Sequence, residues 1–162
     1  MVSKGQLSVL DALIGMIGLM IIILTGFILF SMAYSNISTF QKEKNIELRS
    51  FYATEQLLSA GDPHNWNFLS LEEVNNFGMA EQNGVLDIRK ITALNSSFVQ
   101  NYSFVVNRLG LSEHNISIVI SDYYTNLPIY SIGSANSTNL LSFQRISTIN
   151  NSPVIVYIRV SR

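Results

Sequence analysis

Few side chains in this chain of 162 residues belong to the types that carry chemistry. Cysteine is absent, and the two histidines, His64 and His114, each stand beside an asparagine in turn-like sequence. A metal site would need aspartate or glutamate partners at a regular spacing from those histidines, and the sequence supplies none. No phosphate-binding loop, no G-x-S-x-G elbow and no HExxH helix occurs. Glu72 and Glu73 are adjacent, but Ser70-Leu-Glu-Glu73 has the spacing of a helix capping box, where a carboxylate satisfies the first turn. Trp66 reads as a packing anchor. These residues predict no catalytic role, no cofactor and no metal. Two other kinds of chemistry remain. Asn36, Asn95, Asn101, Asn115 and Asn136 each open an N-x-[ST] acceptor for an N-linked sugar. A sixth match, Asn150, is followed closely by Pro153. Finally, one carboxylate, Asp11, stands at the lip of a long apolar run.

The elements that must position these groups follow from charge and hydropathy. From Ala12 to Tyr34 there are 23 residues without a charge. A bilayer core needs about 20 apolar residues in a helix, and a secretory leader has a core of only about 7–15. The run has no polar face, unlike a surface helix of a soluble domain. A transmembrane helix over residues 6–35 is the expectation. Near the bilayer edge, the Asp11 carboxylate has three options: reaching water, holding a proton, or pairing with an amine. Lys4 precedes the span, and Lys42, Lys44 and Arg49 follow it, which by the positive-inside rule favours a cytoplasmic C-terminus. The acceptor asparagines favour the opposite side, and the domain is read as extracytoplasmic. Net charge is −1, so no electrostatic footprint for nucleic acid exists.

The stretch Lys4-Gly5-Gln6, with Ser8 and Asp11 ahead of the apolar helix, resembles an archaeal class III signal peptide, itself similar to a bacterial type IV prepilin leader. The resemblance implies that residues 1–5 are a leader, cut between Gly5 and Gln6 by a membrane prepilin-type peptidase. The best-known archaeal pattern has its acid fifth after the cut; here that position is Leu10, and the acid is Asp11. In such filaments the acid is thought to pair with the new amine of a neighbouring subunit, which would assign assembly to Asp11. The later run GDPHNWNF…FGMAEQNGVLDIRKITAL…NYSFVVNRLGL is similar to a block that follows such leaders in some archaeal membrane-anchored proteins.

Beyond the membrane, helical character continues to about Ala60, with Leu48, Phe51, Tyr52, Glu55, Leu58 and Ser59 as its apolar face. Gly61-Asp62-Pro63 stops it. Asn83-Gly84 is a turn, and Ile88–Leu94 and Phe98–Leu109 read as short helices. The last third holds four β-rich segments joined by turn residues, and predicts an antiparallel sheet or meander. The fold class is therefore α+β: a long N-terminal helix, transmembrane in its first half, covered by a C-terminal antiparallel sheet with short helices between. Residues 36–162 form the extracytoplasmic domain. The resemblance implies a major or minor pilin-like subunit, self-associating through its apolar helix. The alternative is a single-pass membrane protein whose outer domain binds a partner.

Overall fold

An uncharged apolar run followed by polar residues with few glycines gives one unbroken helix, α1, spanning Lys4–Leu57. The computed structural model describes residues 4–112, 114–134 and 141–161. By contact the chain forms two compact units, Met1–Asn45 and Ile46–Arg162. Among the described side chains of the first none is buried, and Val9 and the large apolar residues from Leu13 through Phe40 are exposed.

The second unit is an α+β domain with its own core. Two 3-10 turns, Trp66–Phe68 and Leu71–Glu73, follow α1. Then come β1 (Ala80–Gln82), β2 (Val85–Leu86), α2 (Ile88–Arg108), β3 (Asn115–Asp122), β4 (Pro128–Gly133), β5 (Leu141–Ile149) and β6 (Ser152–Ser161). Alternation sets the core face of the sheet. Ile116, Ile118 and Ile120 of β3 lie opposite Val160, Ile158 and Val156 of β6, and all six are buried.

Four features differ from the expectation. The sheet is mixed, because β2 joins β5 in parallel through Val85 and Thr148. It is no meander. The order β1-β2-β5-β6-β3-β4 inserts the last strand between β5 and β3, so both pair antiparallel with the apolar β6. The two expected short helices are both present, end to end within α2, but the break falls at Asn101 (φ −151°, ψ 80°) rather than between Leu94 and Phe98; Asn101 Oδ1 accepts from the Phe104 amide at 3.1 Å as a helix cap would. The fourth concerns α1. Its buried residues in this unit are Ser50, Ala53, Thr54 and Leu57, whereas Leu48, Phe51 and Tyr52 are exposed. Small side chains let the helix backbone approach the core closely, and the Thr54 hydroxyl is satisfied by the Ser50 carbonyl at 2.8 Å. The bulky face is left outside.

Candidate functional site

Two places hold the groups singled out above. The first is the apolar part of α1. Gly5 and Gln6 lie in its first turns, and Asp11 is exposed. One helical turn away on either side stand Leu7, Ser8, Ile14 and Gly15, none of which can neutralise a carboxylate. Asp11 has no ion-pair partner among the described residues. Within the run the Thr25 hydroxyl is already satisfied: Thr25 Oγ1 donates to the Ile21 carbonyl at 2.8 Å. A bilayer tolerates polar atoms only when they are so paired. This helix is long and apolar enough to cross a membrane.

The second place is the end of α1 in the Ile46–Arg162 unit. A helix terminus leaves its last carbonyls without partners. Here a returning strand and one ammonium supply them. Met79 N–H donates to the Leu57 carbonyl at 2.7 Å, and Ala80 N–H donates to that of Ser59 at 2.9 Å. Lys90 Nζ donates to the carbonyls of Ala60 at 2.6 Å and Ala80 at 3.0 Å. Lys90 is 3% exposed. Loss of solvation lowers its pKa from the ordinary lysine value; Asp87 and Glu81 oppose this, and Arg89 adds to it.

The Gly61–Gly78 block builds this clasp. Trp66 is buried, donates Nε1–H to the Gly78 carbonyl at 2.9 Å and meets Phe77 edge-on at 5.2 Å. Gly61 has φ +80°, and a Cβ there would stand 2.4 Å from the Trp66 ring. At Gly78 a Cβ would stand 2.3 Å from both Gly61 N and the Ser59 carbonyl oxygen. Asp62 and Asn76 exchange backbone hydrogen bonds at 2.9 and 3.0 Å. The run from Gly61 to Gly78 thus folds as the lock on the end of α1. Glu73 completes the expected box: its Oε2 accepts from Ser70 Oγ at 2.8 Å and Ser70 N at 3.1 Å, which holds its pKa below the ordinary value.

A cleft of about 620 Å³ opens beside this lock, between the 66–74 segment and α2. Its walls carry neutral amides and hydroxyls (Asn67, Ser96, Gln100, Asn101) over Leu69, Leu71 and Phe104, with Glu72 as its one charge. His64 is exposed, and His114 lies in the bend before β3. No cluster of three or more His, Cys, Asp or Glu fit to hold a metal occurs among the described residues. The acceptor asparagines are scattered. Asn36 is exposed on α1, Asn95 and Asn101 are exposed on α2, and Asn115 is half-buried at the start of β3; Asn136 lies outside the described residues. Sequence reasoning missed Lys90. The available signal was a lysine placed four residues before Leu94, on the buried face of α2.

Comparison with known protein families, curated proteins and solved structures yields no match.

Proposed function

We propose that this chain is a structural subunit of an archaeal type IV pilus-like surface filament, assembled through its N-terminal helix. The observation that carries the reading is the contrast between the two units. The Ile46–Arg162 unit buries its own core, while the helix before it exposes its large apolar side chains. Each such side chain left in water instead of buried costs about 1.5–3 kcal/mol. Lipid hides them in the unassembled subunit, and a bundle of the same helices hides them outside it. In this reading the chain is a single-pass membrane protein before assembly, with the Ile46–Arg162 unit outside the cell. A prepilin-type peptidase cuts between Gly5 and Gln6, and the amine freed on Gln6 pairs with Asp11 of a neighbour. That pairing answers the carboxylate that finds no partner within its own helix.

A second reading rests on the cleft beside α2: a single-pass anchor whose outer domain binds a neutral ligand or partner. The state of the N-terminus separates the two. Mass spectrometry of the native protein should find Gln6 as the first residue, and replacing Gly5 with a bulky residue should leave a longer precursor in the membrane. A functional protein that retains residues 1–5 refutes the filament reading. Protease added to cells whose membrane is intact and whose wall alone is permeabilised should remove the Ile46–Arg162 unit; its protection would place that unit in the cytoplasm instead.

A further inference from the structure

An N-linked sugar needs two groups within reach of the enzyme that joins it: the asparagine amide nitrogen and the hydroxyl two residues on. The acceptor sequences differ in this. Asn95 is exposed on α2, but Ser97 is buried and its Oγ donates to the Ala93 carbonyl at 2.9 Å. Asn115 is half-buried in the β3–β6 ladder opposite Ser161, and Ser117 is buried too. Asn36 lies inside unbroken α1, close to the end of the apolar run at Tyr34. Asn150 is exposed in the β5–β6 turn, but Pro153 follows Ser152 directly and restricts the backbone there. At Asn101 both groups are open. Asn101 and Ser103 are exposed, and the backbone at Asn101 leaves the helix.

The break is held on either side. Tyr102 Oη accepts from the Ile116 amide at 2.9 Å, and its ring lies 5.5 Å from that of Phe98. Asn101 Oδ1 caps the Phe104 amide at 3.1 Å. The cap uses the oxygen of the side-chain amide and leaves its nitrogen without a partner among the described residues. A sugar on Nδ2 therefore leaves the cap intact.

Asn101 is also part of the wall of the 620 Å³ cleft between the 66–74 segment and α2. Sites for small ligands measure about 300–1,000 Å³. The chemistry of this one suits a sugar. The side-chain amides of Asn67 and Gln100 make no hydrogen bond among the described residues, so each offers donors and an acceptor to hydroxyls. The half-buried Phe104, Leu69 and Leu71 supply an apolar surface for the C–H face of a pyranose ring. A free saccharide would find few contacts in so open a cleft. One joined to its wall is held there at an effective concentration on the order of millimolar, so a few contacts suffice.

We propose that Asn101 carries an N-linked saccharide whose first sugars lie in this cleft. Nδ2 forms a bond to the anomeric carbon of a sugar held on a polyprenyl phosphate. The bond from that carbon to the phosphate oxygen breaks, the lipid phosphate leaves with the electron pair, and Nδ2 gives up one proton to a base of the transferase. Such transfer takes place on the outer face of the membrane, so the proposal rests on the placement of the Ile46–Arg162 unit outside the cell. The cleft is then filled by the chain's own sugar rather than by a free ligand.

The full chain, isolated from its native cells, is digested and its peptides are analysed by mass spectrometry. Asn101 should carry a saccharide in the wild type and in Ser103→Thr, which keeps the hydroxyl. It should be bare in Ser103→Ala, which keeps Asn101 and its cap. Trp66 emission verifies each fold, and Asn101→Asp, which retains the capping oxygen, replaces Ser103→Ala should the latter unfold. Hydrogen exchange of the same chains in micelles reads the cleft. Amides of residues 67–72 and 96–100 should exchange several-fold more slowly in the wild type than in Ser103→Ala, while those of β6 are unchanged. Adding Asn67→Ala and Gln100→Ala should remove that slowing and leave the saccharide in place. A bare Asn101 in a unit that external protease removes overturns the proposal and leaves the outside placement standing. A bare Asn101 in a unit protected from protease overturns both. A saccharide on Asn95 or Asn115 with Asn101 bare overturns the choice of site, and a saccharide on Asn101 with unchanged exchange overturns its seat in the cleft.

Discussion

Replacing Lys90 with methionine should loosen the end of α1, and the size of the effect follows from the clasp. Methionine has a similar length but no donor. It would leave the Ala60 and Ala80 carbonyls without their ammonium partner, both now bonded at 3.0 Å or less. A hydrogen bond to a charged group contributes about 1.5–3 kcal/mol. Against the two bonds stands the cost of keeping an ammonium out of water, several kcal/mol before relaxation, which the variant escapes. The net loss expected at pH 7 is about 1–3 kcal/mol. The pH dependence carries the sharper test. A lysine whose folded pKa is lowered binds its proton more weakly than in the unfolded chain. Wild-type stability therefore rises as pH climbs from that lowered value toward the ordinary 10.5, by at most about 1.4 kcal/mol per pH unit. The variant lacks this gain, so the gap between the two widens with pH. Urea unfolding of the full chain in micelles, followed by Trp66 emission, measures both. A variant as stable as wild type at pH 7 would refute the role of the ammonium. Two curves that stay parallel up to pH 10.5 would refute its desolvation.

Gly78→Ala should destabilise the same clasp by about 2 kcal/mol or more, since the new methyl would meet backbone that cannot turn aside; the same urea titration reads it. The Asp122 carboxyl, held below its ordinary pKa of 3.8 chiefly by Thr125, should titrate in an NMR series with a midpoint under that value, and its turn should hold at neutral pH and open only below the midpoint. Asp11→Ala should leave membrane insertion intact and impair incorporation into filaments; a variant that assembles normally contradicts the amine pairing. Deleting residues up to Tyr34 should yield a soluble monomer, and polymerisation of that fragment would show that the apolar helix is not what drives assembly.

Much of this architecture is local and so was legible in the chain. The apolar run is a matter of composition over consecutive residues, and no tertiary contact is needed to see that it suits lipid better than water. The capping box at Ser70 and Glu73, the stop at Gly61 and the four strands of the last third are likewise written in neighbouring residues. Three things were decided only in three dimensions. The face that α1 buries went to Ser50, Ala53, Thr54 and Leu57, because close approach of backbone to core outweighed the larger side chains at 48, 51 and 52. The place of β6 between β3 and β5 was open, since alternation names the buried face of a strand but not its neighbour. Lys90 finds its acceptor in the Ala60 carbonyl, 30 residues away. The spacing of a sequence reports which groups share one face of one element. The partner of that face depends on the shapes of surfaces that meet only when the chain has folded.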